Sequence, residues 1–390
     1  MDKIKVLFIV GAFHKAGAER FAYEIDLALN KEKFEVSILC LQQENPLLVK
    51  WNNRYYEGKH KSLGSTISYI DDFLENHKQS KAERIFHKLT NKKFKKTKGI
   101  YKASLFSYLD KFSVLHWMGE YTFIHQIPLE IKKKSIIHSM CAKFQEPTLY
   151  DNYNHHYPYQ FISGFQNDEV KFEYSQFENV SHTYFPLAIK IHQKENSWKY
   201  VSNEIRKIGI FTRLDKNKPL DPFFYAFHLL LDKHPNCELH IFGNGDPGEE
   251  GMLTYLDRLG ISDKVIFRGH QEDITITVTD EHLDLSWFQG YNNRTPAGFA
   301  GLDICLTGTP LICWDFFSKP LNFFNPVYPH FKNLNEFVDF TSEILNNKNK
   351  AEELSDLQFN DVYVNRNMDS LVSIVEDLYI KIYQEKQQKN

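Results

Sequence analysis

The apolar residues of this chain are grouped in short continuous runs, and amphipathic segments separate these runs. Residues 3–10 (KIKVLFIV) form the first run, and we predict that they form a buried parallel strand. The next segment has Phe21, Ile25 and Leu29 at helical spacing, and residues 34–41 (FEVSILCL) form a second apolar run. This order predicts a strand–helix–strand unit at the start of a doubly wound sheet.

The same alternation begins again in the second half of the chain. Residues 185–207 are polar and weakly periodic, which is typical of a linker. A strand, a loop and a helix are then predicted over residues 206–233. We therefore predict an α/β protein with two Rossmann-like doubly wound domains that face each other across a cleft. Further strands are predicted at residues 112–117, 134–139, 159–164, 239–242, 265–267 and 311–314, and a final helix at residues 368–384.

The chain length supports two domains. Its 390 residues exceed the size at which a single hydrophobic core stops growing, roughly 250–300 residues. We expect an N-terminal domain at residues 1–188, with a basic helical insertion at about 75–112. The linker is expected at residues 189–206, the C-terminal domain at 207–365 and a terminal helical segment at 366–390.

The net charge, the cysteines and the lengths of the apolar stretches exclude several classes of protein. A net charge of −3 gives no overall field that would attract nucleic acid, so we expect no nucleic-acid partner. The five cysteines form no CxxC pair, which favours free thiols in a reducing compartment. No apolar stretch approaches the ~20 residues of a membrane span. We expect a cytoplasmic protein that is at most peripheral to the inner face of the cytoplasmic membrane.

One segment is much more basic than the chain as a whole. Residues 78–111 contain eleven Lys and Arg residues but only two acidic residues, Glu83 and Asp110, and apolar residues are interleaved with the cations. A basic segment with an apolar face fits an interfacial helix on anionic lipid. A helical pair that packs on its own domain fits the pattern equally well, so membrane contact is one of two open interpretations.

The first candidate binding site lies in the stretch 286–314. Its order is an apolar run, a loop with Gly298 and Gly301, a short helix, and a strand after Gly308. Glycines let the backbone approach a ligand, and the first N–H groups of a helix face an anion. This layout is typical of a phosphate-binding turn, although an ordinary buried strand–helix unit has the same pattern. Asp303 would lie in the helix, where its carboxylate can bind ribose hydroxyls.

A second candidate is the loop after the predicted strand at 206–212. Arg213 and Lys218 stand five residues apart at the carboxyl edge of the predicted sheet. A guanidinium binds phosphate oxygens through a two-pronged hydrogen bond, and an ammonium acts as a point charge. Both cations can therefore converge on one diphosphate, whereas the alternative is a basic turn on the surface.

These stretches resemble the donor-site motifs of glycosyltransferase family 4, the retaining transferases built from two Rossmann-like domains. Arg213 and Lys218 match the cations of the family's Gly-Arg-Leu, three residues, Lys-Gly motif. Asp303 stands at the second Glu of the donor motif, whereas Thr295 replaces the first Glu and lacks its charge. The first loop resembles the family's Gly-Gly-Ala-Glu run around Gly17, and His116 stands where the family has a His before the cleft.

The resemblance implies a fold, a reaction and a set of site residues. It implies a B-type glycosyltransferase fold and the transfer of a sugar, with retention, from a UDP- or GDP-sugar to a glycan or lipid-linked acceptor. It implies no metal and no other cofactor, and a terminal helix that crosses back to the N-terminal domain. Arg213, Lys218 and His116 are the expected catalytic residues. The expected donor-binding residues are Gly17, Gly243, Gly269, Thr295, Gly298, Phe299, Ala300, Gly301 and Asp303.

Three other functions stay open at this stage. A sugar-nucleotide epimerase or hydrolase shares the two-domain fold. A non-catalytic homologue would bind nucleotide without turnover, which the loss of charge at Thr295 favours. A membrane-surface scaffold would use the basic segment 78–111 and would not bind nucleotide. Synthesis of bacterial surface polysaccharide, such as lipopolysaccharide or capsule, is the pathway expected for a transferase.

Overall fold

The computed structural model describes residues 3–41, 54–73, 103–119, 124–139, 160–164, 182–214, 219–290, 298–315 and 327–388. The chain divides into two units. Unit 1 comprises Met1–Pro186 together with Ser370–Asn390, and unit 2 comprises Leu187–Asp369. Each unit is built on its own parallel sheet, so the predicted α/β class is confirmed.

The sheet of unit 1 contains seven described strands in the order β3-β2-β1-β4-β5-β6-β7. The sequence order reverses direction between β1 and β4, which pair in parallel from Val6 opposite Val114 to Val10 opposite Met118. The strands are β1 (Ile4–Val10), β2 (Phe34–Cys40), β3 (Thr66–Tyr69), β4 (Val114–Met118), β5 (Ser135–Ser139), β6 (Gln160–Ser163) and β7 (His182–Tyr184). The described helices before residue 186 are α1 (Gly17–Ala28), α2 (Tyr55–Ser62), α3 (Ala103–Asp110) and α4 (Leu129–Lys132).

The central strands of unit 1 are continuous apolar runs because both of their faces are buried. Leu7, Ile9, Leu115 and Trp117 are 0% exposed and belong to one cluster that also contains apolar residues of α3. The edge strands β3 and β7 are only partly buried, and this explains why no apolar run marks them in the sequence. Most of the basic segment 78–111 lies outside the described residues.

A buried carboxylate fastens α1 to α2 and to the start of β3. Asp26 is 0% exposed, and its Oδ2 lies 2.6 Å from Nδ1 of His60 and accepts a hydrogen bond of 2.7 Å from the Ser65 hydroxyl. Lys31 donates to the other oxygen. Burial alone would raise the pKa of Asp26, but the interactions with His60 and Lys31 outweigh it and lower the pKa.

The sheet of unit 2 contains six described strands in the order β10-β9-β8-β11-β12-β13. Here the sequence order reverses direction between β8 and β11, where Leu285 stands opposite Ile208. The strands are β8 (Arg206–Phe211), β9 (Cys237–Phe242), β10 (Val265–Gly269), β11 (Leu285–Gly290), β12 (Leu311–Asp315) and β13 (His330–Phe331). The described helices are α5 (Asp221–Leu231), α6 (Met252–Leu259), α7 (Ile274–Glu281), α8 (Gly298–Leu306), α9 (Leu334–Asn346) and α10 (Lys348–Asn360).

Aromatic side chains dominate the core of unit 2. The rings of Phe223 and Phe337 lie 6.1 Å and 5.0 Å from that of Trp287, and the Trp287 indole donates to the Thr341 hydroxyl at 3.1 Å. The four described cysteines are buried free thiols, as the sequence predicts for them. Cys141 lies outside the described residues.

The terminal helix α11 (Met368–Gln387) is part of unit 1 from Ser370 onward. Tyr379 is fully buried and packs its ring 5.7 Å from that of Phe34 at the start of β2. Asn30, two residues after the end of α1, donates its backbone N–H to Glu376 at 2.8 Å. Among the described residues, no helix combines the length and the apolar character of a membrane span.

Candidate active site

The predicted donor residues of unit 2 gather at the carboxyl edge of its sheet. Arg213, Gly243, Gly269 and Gly298 follow or end the strands β8, β9, β10 and β11, which lie side by side. Ligands of open α/β sheets bind at this edge, at the point where the strand order reverses. That point lies between β8 and β11, and a shallow depression there is lined by Phe211, Thr212, Leu220, Trp287, Phe288 and Gln289.

The loop that carries Arg213 is fixed by backbone hydrogen bonds. Thr212 donates its N–H to Phe242 at 2.9 Å, and Leu214 donates to Asn244 at 2.8 Å. The loop after β8 therefore runs directly against the loop after β9. Arg213 stands between these two anchors with an exposed side chain, which suits a cation that binds a ligand.

This close approach explains the glycine at position 243. A Cβ there would lie 1.6 Å from the carbonyl oxygen of Thr212, so only glycine fits. Gly245, with φ +130°, faces the same limit, because its Cβ would lie 2.4 Å from the carbonyl oxygen of Leu214. We predicted that Gly243 binds the donor; what the structure adds is that this residue allows the two loops to pack. Gly269 has φ +69° and open space where a Cβ would be.

The second donor stretch forms the predicted helix, α8. Gly298 begins it in the left-handed region, with φ +73°. Asp303 lies inside the helix as predicted and is 7% exposed, and Phe299 is 8% exposed. Gly301 is buried and Ala300 is partly buried. Two predicted site residues, Thr295 and Lys218, lie outside the described residues.

His116 differs from the prediction. It lies within β4 and is 0% exposed, and both of its ring nitrogens have partners. Its Nδ1 lies 2.6 Å from the Tyr379 hydroxyl, and its Nε2 lies 3.1 Å from Nδ1 of His138. Burial, together with His138, lowers the pKa of His116 well below its usual value. His116 was predicted to be catalytic; the structure places it in the core of unit 1, as a buried ring whose two nitrogens both have side-chain partners.

A cavity of about 210 Å³ lies at the carboxyl ends of β1 and β4, where the strand order of unit 1 reverses. Gly17 begins α1 beside it with an exposed backbone position. The cavity is lined by Val10, Gly11, Ala12, His14, Ala18, Glu19, Met118 and Gly119.

Two polar side chains of this cavity, His14 and Glu19, were not among the predicted site residues. Glu19 is the Glu of the run that resembles the family's Gly-Gly-Ala-Glu motif, of which the prediction named only Gly17, and nothing in the sequence marks His14. Among the residues that the structure describes, no group of three or more His, Cys, Asp or Glu residues is arranged to hold a metal ion.

Comparisons with known proteins identify the fold. Neither a scan against protein-family models nor a search of curated proteins found a match. The structure is similar to that of a glycosyltransferase from Rickettsia africae, with a TM-score of 0.67, 11% identity, and coverage of 98% of this chain and 99% of that one. It is also similar to Anabaena HepE in complex with UDP and glucose, with a TM-score of 0.64, 12% identity, and coverage of 96% and 98%.

A third similar structure is the lipopolysaccharide outer core galactosyltransferase WaaB. Its TM-score is 0.60 and its identity 14%, with 98% of each chain covered. These matches extend over nearly the whole of both chains, so the chain has the B-type glycosyltransferase fold with two Rossmann-like units.

Proposed function

We propose that this chain is a retaining glycosyltransferase that moves a sugar from a UDP- or GDP-sugar to a glycan or lipid-linked acceptor. One observation carries the proposal: the fold matches that of HepE, which was crystallised with UDP and glucose, over 96% of this chain. The loop of Arg213 at the carboxyl edge of unit 2 supports it, because this is where α/β sheets bind nucleotides.

In this proposal the donor diphosphate is held by cations and by helix N–H groups. Arg213 and Lys218 bind its oxygens, and the N-terminal turn of α8, from Gly298 to Gly301, faces it with backbone N–H groups that include those of Phe299 and Ala300. Asp303 binds the ribose. Gly243 and Gly269 shape the loops that border the nucleotide.

These groups act on the transition state more than on the ground state. As the glycosidic C–O bond breaks, negative charge grows on the leaving diphosphate, and fixed cations stabilise that charge. Arg213 and Lys218 would then supply the charge stabilisation that other transferases obtain from a metal ion, so we propose turnover without added metal. Thr295, which has no carboxylate, distinguishes this donor site from that of family 4.

The acceptor is proposed to bind unit 1 beside Gly17. WaaB is a lipopolysaccharide outer core galactosyltransferase, and this supports a surface polysaccharide as the class of acceptor. The basic segment 78–111 would bind anionic lipid at the cytoplasmic face of the membrane. We therefore propose a cytoplasmic enzyme that is peripheral to that membrane.

The direct test is turnover of nucleotide sugars. The purified protein is incubated with UDP- and GDP-sugars and a mixture of bacterial lipid-linked and surface glycans, with and without a chelator. We expect release of one nucleoside diphosphate that depends on the glycan and survives chelation, and a product with the anomeric configuration of the donor by NMR. Release without a glycan, or a change in the donor sugar alone, would indicate a hydrolase or an epimerase. Nucleotide binding without turnover would indicate a non-catalytic homologue.

A further inference from the structure

Three tyrosine rings of unit 1 surround the ammonium group of Lys59. The Nζ of Lys59 lies 4.5 Å from the ring centre of Tyr55, 5.5 Å from that of Tyr23 and 5.6 Å from that of Tyr56. Tyr23 lies on α1, and the other two tyrosines begin α2. None of these residues lines the cavity beside Gly17. The three tyrosines, which we call the tyrosine cage, therefore form a separate cluster around a cation.

The tyrosine cage has a buried floor and two accessible walls. Tyr56 is 6% exposed, whereas Tyr23 and Tyr55 are partly exposed. The rings of Tyr55 and Tyr56 are nearly perpendicular, with centres 4.9 Å apart, and the ring of Tyr23 lies 5.5 Å from that of Tyr56. The buried His60 ring, which is bonded to Asp26, packs edge-on against Tyr23 at 5.6 Å. Because these contacts already hold the rings in place, a ligand loses less entropy when it binds.

Only the tyrosine rings hold Lys59 in the cage. Its neighbour Lys61 pairs with Glu57 at 2.6 Å, but in the described part of the chain Lys59 forms no ion pair with a carboxylate. A primary ammonium is strongly hydrated, and its attraction to aromatic rings is weak where water reaches the site. Lys59 is partly exposed, so its side chain can turn out to solvent. The cage therefore attracts a cation, and another cation can displace Lys59.

A trimethylammonium group suits the tyrosine cage better than the Lys59 ammonium does. It has no N–H groups that hydrogen-bond with water, and aromatic cages recognise such quaternary ammonium ions. A ligand with this cation alone would be repelled by the displaced Lys59 and by Lys15, whose Nζ lies 4.9 Å from the centre of the Tyr55 ring. A phosphate on the same ligand offsets this repulsion, because it pairs with the two lysines. The site therefore favours a zwitterion.

We propose that the tyrosine cage is a binding site for a phosphocholine group. The trimethylammonium takes the place of the Lys59 ammonium between the rings, and the phosphate pairs with Lys59 and Lys15 at the rim. This inference does not depend on the proposed function, since it uses no residue of the nucleotide site. Phosphocholine occurs both as a lipid headgroup and in water-soluble compounds, and the cage would bind both through the same contacts.

The first experiment uses the wild-type chain with phosphocholine as the probe. Saturation-transfer NMR detects the N-methyl protons of the ligand when they contact the protein, and a titration gives the Kd. We expect saturable binding. Phosphoethanolamine has the same phosphate but a primary ammonium, so as a competitor it should bind about tenfold more weakly than phosphocholine. No saturable binding of phosphocholine, or equal binding of the two compounds, would overturn the inference.

Two cage variants test the role of the rings. Tyr23→Leu and Tyr55→Leu keep an apolar side chain but remove the aromatic face, so each should weaken phosphocholine binding about fivefold. Tyr225→Leu, which removes an exposed tyrosine of α5, is the matched control and should bind like the wild type. Unchanged affinity in both cage variants would refute the site. Thermal melts verify folding, and the wild-type comparison of the two ligands carries the test if a variant does not fold.

Lys59→Ala tests whether the lysine occupies the cage. The probe is choline, which has the trimethylammonium but no phosphate. Because Lys59 then neither fills the cage nor repels the ligand, choline should bind about fivefold more tightly to the variant than to the wild type. Alanine favours a helix more than lysine does, so α2 should stay folded. Choline binding that is unchanged or weaker in Lys59→Ala would contradict the inference.

Vesicles distinguish the two sources of the phosphocholine group. Sedimentation of the chain with phosphatidylcholine vesicles, reversed by free phosphocholine, would assign the ligand to a lipid headgroup. Binding of free phosphocholine without sedimentation would assign it to a water-soluble compound. Both results support the site. UDP and GDP should bind the cage variants as they bind the wild type, and if neither nucleotide binds, the transferase proposal fails while the phosphocholine site stands.

Discussion

The hydroxyl of Tyr379 lies 2.6 Å from Nδ1 of His116, although the two residues are 263 positions apart in the chain. Both side chains are 0% exposed. The terminal helix α11 thus supplies the hydrogen bond for a polar ring in the central strand β4. Without this partner, the buried ring nitrogen would have lost its hydrogen bond to water and gained none from the protein, which costs free energy. The terminal helix therefore satisfies a polar group in the core of unit 1.

Tyr379→Phe should destabilise unit 1 by about 1–3 kcal/mol, because it leaves the His116 nitrogen buried without its partner. Hydrogen exchange of the β4 peptides, followed by mass spectrometry, measures the effect within the intact chain. Tyr383→Phe is the control, since Tyr383 lies on the same helix and is partly exposed. Unchanged exchange in the β4 peptides of Tyr379→Phe would refute the role of this hydrogen bond.

Unit 1 should lose stability in acid, because burial keeps its core histidines neutral in the folded state. Burial lowers the pKa of His138 from 6.5 to about 3. The unfolded chain therefore binds a proton below pH 6.5 that the folded chain does not bind, and stability falls as the pH decreases from 6.5 towards 3. Because of this one residue, the free energy of unfolding should be about 2 kcal/mol lower at about pH 5 than at about pH 7.5.

Urea unfolding at these two pH values checks this, with His138→Phe as the variant that cannot titrate. The variant should lose less stability than the wild type between the two pH values, whatever its stability at the higher one. His228→Gln removes an exposed histidine of unit 2 and should leave the wild-type pH dependence unchanged. Equal pH dependence in His138→Phe and the wild type would mean that His138 is not kept neutral by burial.

Gly243→Ala should affect both stability and nucleotide binding. Its Cβ would lie 1.6 Å from the Thr212 carbonyl oxygen and would push away the loop that carries Arg213. We expect a loss of about 1–3 kcal/mol of stability, typical of an overpacked position, and weaker binding of the nucleotide. Differential scanning calorimetry and nucleotide titration measure the two effects.

Gly260→Ala is the matched control for this variant. Gly260 has φ +67° and ends α6, but a Cβ there meets no atom within 4 Å. This variant should lose about 1 kcal/mol of stability from backbone strain alone and should bind nucleotide normally. Nucleotide affinity that falls equally in both variants would contradict a specific role for the packing of Gly243 against Thr212.

The apolar runs of the sequence predicted the buried strands well, because a strand that is covered on both faces must be apolar throughout. The strands β1, β2, β8, β9 and β12 lie within one or two residues of their predicted bounds. The edge strand Thr66–Tyr69 and the short strand His330–Phe331 were missed. Their half-exposed or very short segments carry no periodic signal.

The site was harder to predict than the fold. The pattern placed Gly298 and Asp303 on the right helix, since a glycine loop before a short apolar helix is a local signal. It could not show that His116 is buried, because the partner that satisfies its ring lies in the last helix. Nor could it separate a glycine that touches a ligand from one such as Gly243, where another loop approaches.

The most direct test of the central claim is the affinity of the chain for UDP and GDP, measured by isothermal titration calorimetry in the wild type and in Arg213→Ala. The proposal predicts that one of the two nucleotides binds the wild type and that Arg213→Ala loses about 1.5–3 kcal/mol of that binding free energy, roughly ten- to a hundredfold in Kd. Arg258→Ala, which removes an exposed arginine of α6, should bind like the wild type. Equal affinity in Arg213→Ala and the wild type, or no binding of either nucleotide, would contradict the proposed donor site.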